Sequence, residues 1–571
     1  MNLRSDRWVK GDDEVALDSR VALRMAGVDV DAAGGRPIIG IANSAGDLNP
    51  CNQPLAKLIE PLKRGIVDAG GIGVEFPVMS LGEDLMKPTA MLYRNLLAIE
   101  VEESVRSQPL DALIILAACD KSVPGALMGA FSANIPTLLV VSGPRPVAHF
   151  EGKRIGTGTD LWRLWDLRRA GELSDERWAD LEEKLTLGRG TCNTMGTASS
   201  MGAICETLGL AWPGSTSIPA GDPRHVDIAR RVGARSVELV LEGMTASRQV
   251  TSSSITNALV TLSALGGSTN AVIHLTAMAR RLGLDVELGE LDRISRATPV
   301  LVDVEPSGNG LMEDLDDAGG IPTLFRALGD RLNPDTLLAD ATTMKETQTA
   351  ASEPRGVIRD LSNPLDAEGA FRVVRGNLAP RGALIKRSAA TPTLLRHRGP
   401  AYVIANHEEL AERTGKDADC PEDAVLVFGG VGPVGGPGMP EWGMVPIPQP
   451  LLARGVTDMV RVTDARMSGT SYGTVFLHVA PEAAVGGPLG LVRDGDVINV
   501  DADAGVLELE VSEEELRERA STFTPTLGVA RGYPEFYRRH VGQAPEGCDF
   551  DFLVQPRGEA PRMVEPVVGR S

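Results

Sequence analysis

Aromatic side chains are scarce in this chain, 4% of 571 residues, and histidine (seven) and cysteine (six) are few. Six cysteines in a chain long enough to bury a large core do not read as a disulfide framework, which is the device of small secreted domains. Basic runs are missing too: no five consecutive Lys or Arg residues occur, and 57 basic against 77 acidic residues leave a formal charge of −20. Such a carboxylate excess repels phosphate backbones and anionic lipid, so neither nucleic acid nor a membrane surface is expected as a partner. The first twenty residues alternate charges and lack the apolar core of a signal peptide, and a cytoplasmic protein is expected.

One long stretch, Gln249 to Ala279, has no formally charged residue and is long enough to span a bilayer. Its content argues against a span, because Ser252, Ser253, Ser254, Thr256, Asn257, Ser268, Thr269 and Asn270 would need hydrogen-bond partners that lipid cannot supply. It reads as two buried helices joined by a polar loop.

What the chain does contain begins with near-continuous apolar runs, Pro37 to Ala42, Ala112 to Ala118 and Pro136 to Ser142. The first two are followed by helical patterns, Leu55 to Ala69 and Pro124 to Ser132. Apolar strands alternating with helices predict a parallel sheet covered on both faces, with ligands at the carboxyl ends of its strands. Asn49-Pro-Cys51 and Cys119-Asp-Lys121 lie just past two such ends. From Lys153 to Leu187 the chain turns charged and helical, and Glu172 to Lys184 reads as a solvated insertion with no chemical role. Beyond Pro354, Gly, Pro and Asp punctuate short runs such as Ala424 to Phe428, Met459 to Val462 and Val497 to Val500, the pattern of a β-rich, barrel-like domain. The expected fold is therefore α/β: residues 1–360 form an α/β/α domain with a parallel sheet, and residues 361–571 a β-barrel-like one. The boundary falls in the polar stretch Ser352 to Glu368, and two to four domains is the range that length allows.

Gly430-Val-Gly432-Pro-Val-Gly435 spells a dinucleotide fingerprint after a strand, but Pro433, Pro437 and Pro440 forbid the helix that such a motif must open. A shaped loop is expected instead. Walker A, H-E-x-x-H and C-x-x-C signatures are absent, which removes the commonest NTPase, zincin and redox assignments. Cys205 and Cys548 read as small hydrophobes, Cys205 in a helical stretch, while Cys420 and Cys548 sit in charged, surface-like segments. Cys51, Cys119 and Cys192 differ, because each is flanked by polar, small or turn-forming residues where packing seldom calls for a thiol. Their separations match no local metal-ligand spacing. If the three converge, thiolates favour zinc or an iron–sulfur cluster, and three ligands to such a cluster leave an open, Lewis-acidic iron.

Asp120 stands beside Cys119, and Glu83 and Glu441 lie in Gly/Pro-rich surroundings, hard donors suited to Mg²⁺. Taken singly, each also reads as a solvated loop carboxylate. In Thr463 to Gly473 hydroxyl residues crowd a turn after a strand, and Ser468, with no histidine within five residues, would need a metal or cation to act as a base. His274, His407 and His478 read as core histidines.

Together, Asn49-Pro-Cys51-Asn, Cys119-Asp-Lys-Ser-Val-Pro-Gly125, Gly190-Thr-Cys-Asn-Thr-Met-Gly-Thr-Ala198, Gly266-Gly-Ser-Thr-Asn-Ala-Val-Ile-His274, Asp464-Ala-Arg-Met-Ser-Gly-Thr470 and His478-Val-Ala-Pro-Glu-Ala-Ala484 resemble, in order and over nearly the whole chain, the dihydroxy-acid and phosphogluconate dehydratase family. The resemblance implies an iron–sulfur cluster, [2Fe–2S] or [4Fe–4S], on Cys51, Cys119 and Cys192. It also implies Mg²⁺ on Glu83, Asp120, Lys121 and Glu441, with Lys121 carbamylated; Asp84 stands as an alternative to Glu83. Ser468 matches the family's base, with Thr470 beside it. A homodimer or homotetramer is implied as well. The segments around Cys192 and from Pro88 to Asn95 look more like sugar-acid dehydratases, for which the [2Fe–2S] form is implied. A pentonate or hexonate would lose water to give its 2-keto-3-deoxy acid, with Tyr93, Arg94 and Asn95 as candidate hydroxyl-binding residues. The alternatives are the dihydroxy-acid dehydratase of branched-chain amino-acid synthesis, a non-catalytic cluster-bearing sensor and a zinc-bound scaffold.

Overall fold

The structure is a computed structural model, and it describes residues 3–29, 35–525, 527–528 and 531–569. Four strands, β1 (Ile38–Asn43), β2 (Ile72–Pro77), β3 (Ala112–Leu116) and β4 (Thr137–Val140), form a parallel sheet in the order β2-β1-β3-β4. The apolar runs of β1, β3 and β4 are buried almost throughout, as strands covered on both faces require. The edge strand β2, Ile-Gly-Val-Glu-Phe-Pro, is half exposed, and its mixed sequence gives no apolar run to read.

The crossovers are helical: α1 (Ile59–Asp68) after β1, α2 (Arg94–Ser107) before β3 and α3 (Ser122–Ala133) after it. Right-handed connections put α1 on one face of the sheet and α2 and α3 on the other. Farther along come α4 (Thr159–Arg169), α5 (Asp175–Leu185), α6 (Thr197–Thr207) and α7 (Arg224–Glu242), which packs on α1. That pair is tight at Gly65, where an added Cβ would fall 1.9 Å from the Arg230 carbonyl oxygen. The uncharged stretch forms α8 (Ser252–Ala264) and α9 (Thr269–Arg281) with a polar turn between them, as expected. Among the described residues no helix is long and apolar enough to cross a membrane.

Eight later strands close a barrel: β5 (Phe371–Gly376), β6 (Ala379–Lys386), β7 (Arg396–Ile404), β8 (Val425–Phe428), β9 (Arg461–Thr463), β10 (Val475–Ala480), β11 (Val497–Asp501) and β12 (Val506–Leu509). Their order around it is β8-β9-β10-β6-β5-β12-β11-β7. Val425, Val427, Val462, Phe476, Ile498 and Val500 fill its interior. Strands β7 to β10 run parallel, so the loop after β8 and the turn after β9 leave the barrel at the same end.

The last segment returns to the first half of the chain. Arg94 of α2 donates to the carbonyls of Gly547 and Cys548, each at 2.8 Å, and Arg281 of α9 makes a fully buried pair with Asp549 at 2.6 Å. Cys548 is accordingly a buried small hydrophobe against Met439, although its segment is charged: the neighbouring Asp549 is the carboxylate that pairs inward with Arg281. Cys420 is likewise buried, packed with Tyr402 and Leu426.

Candidate functional site

Strand β1 leads outward to β2 and β3 outward to β4, so the crevice of the sheet opens between β1 and β3, where neighbouring chains leave in opposite directions. Cys51 follows β1 and Cys119 follows β3. Asn52 latches the two loops: its Oδ1 accepts the N–H groups of Ala118 (3.1 Å) and Cys119 (2.8 Å), and its Nδ2 donates to Ser44 Oγ (2.8 Å) and Ser122 Oγ (3.1 Å). The Cys192 loop joins them through Gly190 N–H to the Pro50 carbonyl, 3.1 Å. The three thiols face one cavity of about 530 Å³. The neighbouring Cys51 thiol, then burial, push Cys119 well above the ordinary thiol range. Burial pushes Cys192 up to about 12 against the opposing charge of Arg145.

A second cluster stands on the same cavity. The fully buried Lys121 ammonium meets Glu441 Oε1 at 3.1 Å, Glu83 Oε2 at 3.4 Å and, more closely still, Asp120. Glu441 comes from the loop after β8 and also accepts from Arg466 (2.8 Å) and Asn270 (2.7 Å), so barrel and sheet domain meet on one carboxylate. Burial would raise Glu441, but the Lys121 and Arg466 cations hold it at about 2. Burial raises Glu83, with Lys121 opposing and Glu441 and Asp120 adding to the rise. Glu83 Oε1 accepts from Thr89 Oγ1 at 2.6 Å, while Oε2, though buried, takes no hydrogen bond among the described residues. Asp84 points away, its side chain 61% exposed, with Arg145 at 3.9 Å. Of the two neighbours it is Glu83 that faces the cluster.

Ser468 and Thr470 sit in the turn between β9 and β10, their hydroxyls 3.0 Å apart. The first residue of α4 pins this turn: Thr159 Oγ1 donates to the Thr470 carbonyl at 2.8 Å. Two residues earlier, the Thr157 N–H and hydroxyl both reach Asn193 Oδ1 at 2.7 Å, beside Cys192. Thr157, Gly158, Leu161, Trp162 and Leu185 line the cavity. The charged stretch Glu172 to Lys184 contributes nothing to that lining; Leu185, the last residue of α5, and the start of α4 do. Nothing in the charge pattern signals this; the small residues Gly156-Thr-Gly158-Thr could have.

Two further expectations change. Arg94 and Asn95 are fully buried under the Gly547–Cys548 carbonyls, and Tyr93 stacks on Tyr533 at 5.9 Å, so none of the three lines the cavity. The hydroxyls that do are Thr157, Thr197, Ser199, Ser468, Thr470 and Ser471. His274 and His478 are buried as expected, yet each Nε2 lacks a hydrogen-bond partner among the described residues; His407 is exposed and lies against Trp442 at 4.2 Å. Gly469-Thr-Ser471-Tyr-Gly473 spells the G-x-S-x-G pattern of hydrolases, but β10 follows it where a nucleophile elbow requires a helix. The glycine-rich loop after β8 is indeed not an anion cradle. Asp464 accepts the Gly430 and Val431 N–H groups and Glu482 those of Val434 and Gly435.

As placed, no three His, Cys, Asp or Glu side chains among the described residues gather closely enough to hold a metal ion, and the Lys121 ammonium stands among the carboxylates.

Two family models match the chain, dihydroxy-acid/6-phosphogluconate dehydratase N-terminal over residues 36–348 and its C-terminal counterpart over 356–548. The chain is 46% identical to an L-arabonate dehydratase of Azospirillum brasilense over 97% of each protein. It is 44% identical to a 6-deoxy-6-sulfo-D-gluconate dehydratase of Pseudomonas putida over 96% of each. A dihydroxy-acid dehydratase of Archaeoglobus fulgidus is 34% identical over 96% of this chain and all of its own length. With both halves matched and relatives spanning nearly its whole length, the chain belongs to the dihydroxy-acid/6-phosphogluconate dehydratase family.

Proposed function

We propose that this protein is a hydro-lyase that removes water from a 2,3-dihydroxy sugar acid, a pentonate or hexonate, to give the 2-keto-3-deoxy acid. The observation that carries the reading is one cavity shared by the Ser468 hydroxyl, three thiols and a cluster of three carboxylates around Lys121. The higher identity to the two sugar-acid enzymes than to the dihydroxy-acid dehydratase supports the substrate class, as do the six hydroxyl side chains in the lining.

The donor chemistry fits two inorganic groups. Cys51, Cys119 and Cys192 are soft ligands on one wall and would hold an iron–sulfur cluster, [2Fe–2S] by the likeness of the Cys192 segment to sugar-acid enzymes. Glu83, Asp120 and Glu441 are hard ligands, and Glu83 Oε2 is a buried carboxylate oxygen without a hydrogen bond. An ammonium among them competes with a cation, whereas carbamylation of Lys121 would make it a fourth anionic donor for Mg²⁺. When bound, these groups supply Lewis acidity, the Mg²⁺ toward the substrate carboxylate and 2-hydroxyl and the open iron toward the leaving 3-hydroxyl.

The protein's own residues carry the proton. Ser468, as its alkoxide, takes the C2 proton, and the Thr470 hydroxyl at 3.0 Å donates to that oxygen and favours its anionic form. Loss of the C2 proton and the C3 hydroxide gives an enol, which takes a proton at C3 to become the keto acid, with no net redox change. Leu161, Trp162 and Leu185 give the cavity an apolar stretch of wall.

The same apolar wall favours a second reading, an alkyl-bearing 2,3-dihydroxy acid. Arabinonate, xylonate, gluconate and 2,3-dihydroxyisovalerate offered to anaerobically prepared protein, with keto acid as the readout, separate the two. Turnover of the sugar acids is expected; preference for dihydroxyisovalerate moves the assignment to the second reading, and turnover of none removes both.

A further inference from the structure

Arg145 has no part in the chemistry above, yet it lines the same cavity as the three thiols. Its backbone N–H donates to the Thr191 carbonyl at 2.9 Å, and Pro144 forms a bridge with Thr191, so it moves with the Cys192 loop. Three residues before it, Ser142 Oγ donates to the Cys51 carbonyl at 2.7 Å, tying the same segment to the other thiol. The guanidinium lines the cavity beside the Cys51 and Cys192 thiols, and its buried Nε has no hydrogen-bond partner among the described residues. The one carboxylate paired with it among the described residues, Asp84 at 3.9 Å, is mostly exposed and too distant for a hydrogen bond. The guanidinium is partly buried, its side chain 17% exposed, and a buried donor left unmatched, as Nε is here, is costly.

Three thiolates around iron and sulfide make an anion with several acceptor sulfurs, and hydrogen bonds and net charge at those sulfurs set reduction potential and stability. We infer that Arg145 is a positioning residue that neutralises and holds the thiolate-bound cluster, making it harder to strip and raising its midpoint potential. This rests on the iron–sulfur reading proposed above. Nearby Asp84 acts in the opposite sense, its negative charge drawing on the same guanidinium.

The test uses anaerobically purified holoenzyme of the wild type, Arg145→Met, Arg145→Lys and Asp84→Asn. Iron content, the midpoint of a redox titration followed by visible absorption, and the rate of cluster loss to a chelator are measured. Arg145→Met should move the midpoint to a more negative value and lose its cluster roughly tenfold faster or more, the usual size of an outer-shell effect. Arg145→Lys should fall between it and the wild type, and Asp84→Asn should move the midpoint to a more positive value. If Arg145→Met fails to hold iron, the lysine and Asp84→Asn variants still decide, since both must shift, in opposite directions. A fully loaded Arg145→Met with the wild-type midpoint, whether or not its KM rises through a lost substrate contact, overturns the inference. A wild type that binds no iron overturns the underlying reading instead.

Discussion

A Cβ on Gly158 would stand 2.2 Å from the Thr470 hydroxyl oxygen, and the φ of Gly158 is +99°, so this glycine lets the start of α4 press directly onto the turn that carries Ser468. The neighbouring Thr159 hydroxyl completes the contact on the Thr470 carbonyl. The segment that lines the cavity thus also sets the position of the candidate base.

Gly158→Ala should therefore lower kcat by about 10²-fold through displacement of the turn, with the apparent Tm changed far less. Thr159→Val should show a smaller loss and Thr159→Ser should recover it. Steady-state kinetics with circular dichroism as the fold control reads this out, and wild-type kcat in Gly158→Ala would show that the turn is held by other means.

Ser468→Ala removes a hydroxyl and nothing else from the cavity. Iron content, visible spectrum and melting should match the wild type while turnover falls by roughly 10²- to 10⁴-fold, the size of a general-base contribution. A variant that keeps most of its turnover takes the proton-abstracting role from Ser468.

Lys121 should carry a carbamate in the active enzyme. Protein incubated with ¹³C-labelled bicarbonate should show a carbamate carbon resonance that Lys121→Arg lacks, because a guanidinium does not form one, and activity should fall in carbon-dioxide-depleted buffer. Activity indifferent to bicarbonate, with no such resonance, would mean that the ammonium seen among the three carboxylates is the working state.

Lys386, at the end of β6, is fully buried with no hydrogen-bond partner among the described residues, and burial lowers its amine to about 7. Unfolded, the same amine keeps its usual value near 10.4, so between those limits the unfolded chain binds the extra proton and stability rises with pH. Below about 7 the native state must bury the charge, at a cost on the order of a few kcal/mol. Lys386→Met should melt higher than the wild type at neutral pH, and the gap should close as pH rises from 7 toward 10. A gap that does not vary with pH would show that the amine is already paired or hydrated.

How far the sequence carries is visible in particular residues. Strands β1, β3 and β8 are legible because they are apolar along nearly their whole length, β11 because Val497, Ile498 and Val500 make a short apolar run between turn residues, and α8 and α9 because polar groups at fixed places rule out a membrane span. Strand β2 is not, since Gly73 and Glu75 break its run at an exposed sheet edge. The convergence of Cys51, Cys119 and Cys192 could be suspected from their loop contexts, but the hydrogen bonds that bring the loops together, through Asn52 and Gly190, join residues far apart in the chain and leave no local pattern. Tyr93, Arg94 and Asn95 mislead for a similar reason: Arg94 and Asn95 look poised for a polyol but are occupied by carbonyls about 450 positions later, and Tyr93 stacks on the equally distant Tyr533.

The central claim is an elimination in which the C2 proton leaves to the protein and C3 is reprotonated from solvent. Turnover of a pentonate in D₂O, with the product examined by mass spectrometry and NMR, tests it most directly: the account predicts a 2-keto-3-deoxy acid carrying one solvent deuterium at C3. A keto acid with no deuterium at C3, or an oxidised product without loss of water, would contradict it.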